Sequence, residues 1–222
     1  MIVRSITAFT MMALLLACQS CSSATQSQPL VNRMMNGNRI CVEVPNPNRI
    51  VGVPTWNTPI GFNFNWYDNQ SSTPVKIESV SLISPHNLIL HRAISYRGTL
   101  ESPNMSGYAW NLLRKGATAS DWAHRQGIPG AVIPPQTAHD ISLRPNEPAY
   151  SIVLDVSSKT AAGGYAIGQK VTYSQGENQY TIRSYTGYAM APPGPRGAKC
   201  DAYEKAIAAG QRPFSASWQH GS

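Results

Sequence analysis

Charge is scarce in this 222-residue chain, where Asp, Glu, Lys and Arg make up only 13% of residues. The 18 Lys and Arg exceed the 11 Asp and Glu, giving a net charge of +7. The excess is dilute, and the densest basic pair is Arg114-Lys115. Nucleic-acid recognition needs basic residues gathered into a patch or stripe, so it is not expected here. The carboxylates are dispersed through turns (Asp68, Glu147, Glu177) and the tail (Asp201, Glu204), and no pair suggests the acid and base of a glycosidase. Long apolar runs are missing too. Ala8 to Ala17 is the most apolar stretch and is well short of the ~20 residues a spanning helix needs. The body of the chain holds no long segment with apolar residues at a period of 3.6, so no long amphipathic helix is expected there.

Signatures of chemistry are equally sparse. His86, His91, His124, His139 and His220 are scattered, without the spacing of a metal site. His86 and His91 lie five apart across a turn into a strand, so they point to opposite faces if both are in strand. His139 and Asp140 are adjacent, and a strand turns neighbours to opposite faces. No Gly-x-Ser-x-Gly elbow or Ser-x-x-Lys set marks a nucleophile, and no glycine-rich loop joins a strand to a helix. No metal, no cofactor and no enzymatic activity are therefore expected.

What the chain does have is alternation. Phe62, Phe64 and Trp66 interleave with Gly61, Asn63 and Asn65, as in a strand with one buried face. Asp68 to Ser72 and Pro74 make a turn, and Val75 and Ile77 begin the next strand. The apolar parity then slips to Val80 and Leu82, which predicts a bulge near Glu78-Ser79. Further runs follow at Leu88–Leu90, Ile133–Pro135, Ala138–Leu143, Tyr150–Val156, and Tyr165 to Tyr173. A Ser174 to Asn178 turn leads into Tyr180 and Ile182 and reads as a hairpin. Short strands punctuated by 17 Pro and 17 Gly predict an all-β fold, an antiparallel β-sandwich that is Ig-like in the loose sense. A C-terminal linker (Pro192-Pro193-Gly194-Pro195) and a short helix (Asp201 to Ala209) end it.

Residues 1–17 carry a positive Arg4 and then the apolar run, the layout of a secretory signal. Leu15-Leu16-Ala17-Cys18 resembles the lipobox of bacterial lipoproteins. That resemblance implies cleavage before Cys18, lipid on Cys18, and anchoring at the cell envelope. The lack of Asp at Gln19 implies the outer membrane if the organism is Gram-negative, and otherwise the outer face of the cell membrane. The other reading is ordinary secretion with cleavage after Ala24. Removing the leader takes away Arg4 and lowers the net charge to +6. Residues 18–38 are polar and read as a flexible tether, with the domain spanning 39–192 and the linker and helix 193–222.

Export implies an oxidising compartment. With Cys18 lipidated, Cys21 lies in the tether and Cys41 and Cys200 remain to pair. Cleavage after Ala24 leaves the same two. Their bond would close nearly the whole domain and add about 4–5 kcal/mol in the chain-entropy model.

One stretch, residues 95–130, lacks alternation and reads as a long irregular insertion. Its Tyr108, Trp110, Trp122 and His124 are the candidate ligand-binding residues, because Trp and Tyr stack on sugar faces or anchor partners. They equally suit a small satellite core that orders the insertion. The expected role is a membrane-anchored, non-catalytic binding or assembly protein that meets an envelope protein or a cell-wall glycan. A glycan-binding module on the insertion aromatics, or an envelope hydrolase, are the alternatives.

Overall fold

Alternating apolar residues in Tyr150, Ile152, Leu154 and Val156 give β10 (Ala149–Ser158) a face that enters the core. A computed structural model of the protein describes residues 28–32, 37–44, 55–63, 65–98, 107–108, 125–135, 149–194 and 197–214. β10 is the centre of the first sheet. β6 (Leu88–Gly98) pairs with it along its length. On its other side β3 (Ile60–Asn63) and β4 (Trp66–Asn69) lie end to end. β1 (Leu30–Asn32) pairs with β4, β7 (Gly107–Tyr108) with β3, and β8 (Arg125–Gly127) with β6.

The second layer is built on β12 (Gly168–Gln175), which lies between β13 (Asn178–Ser184) and β5 (Val75–Ile83). β9 (Val132–Ile133) extends it beyond β5. β11 (Gly164–Ala166) and β14 (Gly187–Ala191) precede β12 and follow β13, so the two hairpin arms bend and continue into a third, shorter ladder. β2 (Arg39–Glu43) joins that ladder parallel to β14, whereas the other pairings among the described residues are antiparallel. Side chains from all three ladders meet in one core, including Phe62, Ile77, Leu154, Val171, Tyr173 and Tyr188. The fold is thus the all-β, sandwich-like one expected, closed by helix α1 (Ala198–Gln211).

Several local expectations hold. Thr172 opposes Ser79 and Tyr173 opposes Ile77, which leaves Glu78 as the extra residue of a bulge. Gln175 pairs with Asn178 across Gly176-Glu177, and Gly176 has φ of 57°, as a tight two-residue hairpin of the II′ kind requires. Cys41 and Cys200 are bonded, with an S–S distance of 2.05 Å and Cα atoms 5.6 Å apart.

Other boundaries move. Leu30–Asn32, placed in the tether by its polar surroundings, is strand β1, because fully buried Leu30 anchors it. The domain therefore starts before Arg39. Ser95 to Gly98, placed in the insertion, finish β6, and Arg125–Gly127 form β8 against them. Helix α1 starts ahead of Cys200 and runs past Ala209. The alternating run Phe62, Phe64, Trp66 is not one strand. Phe62 opposes Leu154 but Trp66 opposes Ser151, a shift of one residue in register. A one-residue shift reverses which side chains face inward. Tyr67 is consequently buried and Trp66 is turned away from the core. A similar break at Ile167 turns Ala166 inward and leaves Tyr165 half-buried at the surface.

Helix α1 docks on the bend of the hairpin at very short range. A Cβ on Gly187 would lie 2.2 Å from Ile207 Cγ2, and one on Gly210 would lie 2.7 Å from Ile167 Cγ2. Only glycine permits this approach.

Candidate functional site

Of the residues singled out for function, Tyr108 lies in β7, opposite Phe62 in register. Trp110, Trp122 and His124 lie outside the described residues, as do Cys18, Cys21 and His139-Asp140. His86 lies in the turn before β6, where it bridges to Tyr165 and stacks on that ring at 5.2 Å between centroids. Tyr165 in turn packs on Tyr203 of α1 at 5.7 Å.

Two polar clusters stand out, one inside and one on the outer face of the first sheet. The inner one follows from the register shift between β3 and β4, which places the fully buried Asn65 between the layers. Its Oδ1 accepts hydrogen bonds from Asn32 Nδ2 at 2.9 Å, Thr186 Oγ1 at 3.3 Å and Ser184 Oγ. Its Nδ2 donates to the Tyr188 hydroxyl, which donates to Gln169 Oε1 at 2.9 Å. Gln169 Nε2 donates to the Tyr67 hydroxyl at 2.6 Å. Burial pushes both the Tyr67 and the Tyr188 phenols well up from their ordinary value. Both stay neutral and serve as hydrogen-bonding bridges between the sheets. With every named group satisfied, this cluster is a structural network rather than a reactive one.

The outer cluster stands on β6 and β10. The inward set of β10 leaves Ser151, Val153, Asp155 and Ser157 on the opposite face. Arg92 opposes Asp155 and Leu90 opposes Val156, so His91 is the extra residue of a second bulge. The bulge brings both His91 and Arg92 to bear on the outer side of β10. Arg92 Nε donates to Asp155 Oδ2 at 2.7 Å. His91 Nε2 and Ser157 Oγ are also 2.7 Å apart. Asp155 and Ser157 are themselves buried, whereas His91 and Arg92 are exposed. Asp155 Oδ1 is buried and takes no hydrogen bond from any of the described residues. Across β10 from Arg92, Asp155 faces Gly61, which carries no side chain.

The sequence reading placed His91 on a plain strand and gave Ser157 and Asp155 no role. The available signal was the apolar parity of β6, which changes between Leu90 and Ala93 just as that of β5 does at Glu78. A parity change within a strand marks a bulge, and a bulge re-aims side chains. The pairing with β10 is a long-range contact and leaves no local trace.

Among the described residues no group of three or more His, Cys, Asp or Glu side chains converges as a metal centre would. No helix among them is long and apolar enough to cross a membrane. No known protein family, curated protein or solved structure matches this chain.

Proposed function

We propose that this protein is an exported, lipid-anchored component of a bacterial cell envelope with a non-catalytic binding or assembly role. The carrying observation is the Cys41–Cys200 bond, which joins residues 159 apart in sequence. Such bonds persist in oxidising compartments and are rare in the cytosol. Export fits the leader over residues 1–17, and the Leu15-Leu16-Ala17-Cys18 box supplies the anchor. The partner is an envelope protein or a wall glycan.

Metabolic labelling with palmitate tests the anchor. The full chain takes up label and sediments with membranes. Cys18→Ala removes the label, and persistent labelling of that variant overturns the anchoring.

The 2.7 Å contact between His91 and Ser157 favours a second reading, an envelope hydrolase, because that is the spacing of a nucleophile and its base. Against it, Ser157 is only 3% exposed and sits in a paired strand. Acyl transfer also needs donors for an oxyanion, and the backbone here is committed to the ladder. A fluorophosphonate probe decides between the two. The binding reading expects no label on Ser157, and stoichiometric label there establishes the hydrolase.

A further inference from the structure

We propose that the domain stands on its membrane by one basic pole, built from Lys170, Arg183 and Arg39, which rests on anionic lipid headgroups. The inference rests on the anchoring proposed above and adds which way the domain faces once it is held there.

The chain enters the fold against β12 and β13. Gln28 Nε2 donates to Thr181 O at 3.3 Å, and Leu30 N donates to the Tyr173 hydroxyl. Gln28 is ten residues on from Cys18. Ten residues reach at most about 35 Å, so a lipid on Cys18 keeps this part of the domain within that distance of the bilayer.

The same part is basic. Gln169, Val171 and Tyr173 are buried, which turns Lys170 to the outer face of β12. On β13 Ser184 is buried, and Arg183 is turned outward and exposed, two residues from Thr181. Arg183 opposes Lys170 in register, and like charges so placed repel each other. Arg39, also exposed, lies just past the bend, where it opposes Gly187 beside the last turn of α1. None of the three is in an ion pair with a described residue. Glu43 and Asp201 stand by the first turn of α1, at the other end of the helix. Glu177 sits in the hairpin turn, at the end of β13 away from Arg183. Glu78 and Asp155 are engaged by Lys76 and Arg92.

An anionic bilayer supplies the counter-charge this pole lacks, and each Lys or Arg near such a surface strengthens the attachment. The attraction fades within a Debye length, so it acts on a face that the anchor already holds close. Phe214, 36% exposed and stacked on Tyr185 two residues from Arg183, adds an apolar ring of the kind that settles at the headgroup boundary. A small soluble anion would want donors converging on one point, whereas these side chains are spread over a surface.

The test is a lysine footprint of the full chain on vesicles of phosphatidylcholine alone or mixed with phosphatidylglycerol. Acetylation by an N-hydroxysuccinimide ester is read by mass spectrometry. Lys159, exposed and bonded through its backbone to the turn before β6, is the reference. Lys170 should be acetylated about fivefold more slowly on the anionic vesicles, the effect of one charge near such a surface, with Lys159 unchanged. Molar salt should abolish the difference, and so should Arg183→Gln combined with Arg39→Gln, both at exposed positions. Equal rates for Lys170 on the two vesicles overturn the proposal. So does a difference that survives salt or the paired substitution, or one that Lys159 shares. Slowing of Lys170 on neutral vesicles by inorganic phosphate overturns it in favour of a soluble anion. Flotation of the same samples keeps the two proposals apart. A chain that floats with both vesicles and shows no shielding of Lys170 loses the pole and keeps the anchor. One that floats only with the anionic vesicles, with Lys170 shielded, loses the anchor and keeps the pole, and one that floats with neither loses both.

Discussion

Gln211 illustrates how much one side chain can carry at a bend. Both arms of the hairpin break where β11 passes to β12 and β13 to β14, which frees a carbonyl on each arm. Gln211 Nε2 donates to both, to Ile167 O at 3.0 Å and to Tyr185 O. The residue is buried, and Ile207 beside it fills the space above Gly187. Gln211→Ala removes the side-chain donor from the Ile167 carbonyl and leaves the Tyr185 carbonyl with Gly37 N alone, at 3.1 Å, so the cost is that of about one unmet buried carbonyl, ~1–3 kcal/mol. Urea unfolding should show a loss of about 1–3 kcal/mol. A loss no larger than that of an exposed alanine substitution would mean that water reaches the bend. Asn65→Ala should be comparably costly, since it removes one hydrogen-bond partner from each of Asn32, Ser184, Thr186 and Tyr188. Neither residue was legible in the sequence. A glutamine near a chain end and an asparagine after a phenylalanine both read as solvated. Their burial comes from a bend and a register shift that only the partner strands determine.

At the scale of elements, the bulge in β5 was readable because Val75 and Ile77 give way to Val80 and Leu82. The hairpin was readable because Gly176 supplies the positive φ its turn needs. Both are signals within one strand or one turn. Parallel pairing of β2 with β14 joins Cys41 to Ala189 across nearly 150 residues, and no local pattern announces it. The cysteine count reached the same place by another route, since excluding Cys18 left Cys41 and Cys200 as the pair. That bond fastens α1 to β2 while glycines at 187 and 210 let it sit close. Replacing both cysteines with serine should cost up to about 5 kcal/mol. The loss should be greatest for α1, whose amides should exchange faster with deuterium than those of β10. Gly187→Ala should act on the same element, because its Cβ would lie 2.2 Å from Ile207 Cγ2. The helix must then shift, and the variant should unfold at lower urea with faster exchange in α1. Protection of α1 unchanged in both variants would show that the helix docks independently of these contacts.

Taken whole, the molecule is closed by phenols as well as by aliphatic residues. Tyr67 and Tyr188 cross between the layers through Gln169, and the Tyr173 hydroxyl accepts a hydrogen bond from Leu30 N at 3.3 Å. Burial raises the pKa of Tyr67, Tyr150, Tyr173, Tyr185, Tyr188 and Tyr203. A raised folded-state pKa means that the native protein holds its protons while the unfolded chain, titrating near 10.0, releases them. The unfolded state then binds fewer protons, so stability falls as pH rises above the free phenol value. Below that value the contribution is fully present. Each fully buried phenol loses about 1.4 kcal/mol by one pH unit above it. Tyr67 and Tyr188 together should remove roughly 3 kcal/mol there. Tyr150, Tyr173, Tyr185 and Tyr203, whose phenols are raised less, act in the same direction but contribute less. Urea unfolding followed from neutral pH upward should show a plateau and then this decline. Tyr67→Phe removes one of the two titrations, so it should be less stable at neutral pH, having lost its bond to Gln169, yet show about half the alkaline slope. A stability that stays level through one pH unit above the phenol value would mean that the interior tyrosines ionise in place, and that water enters between the layers.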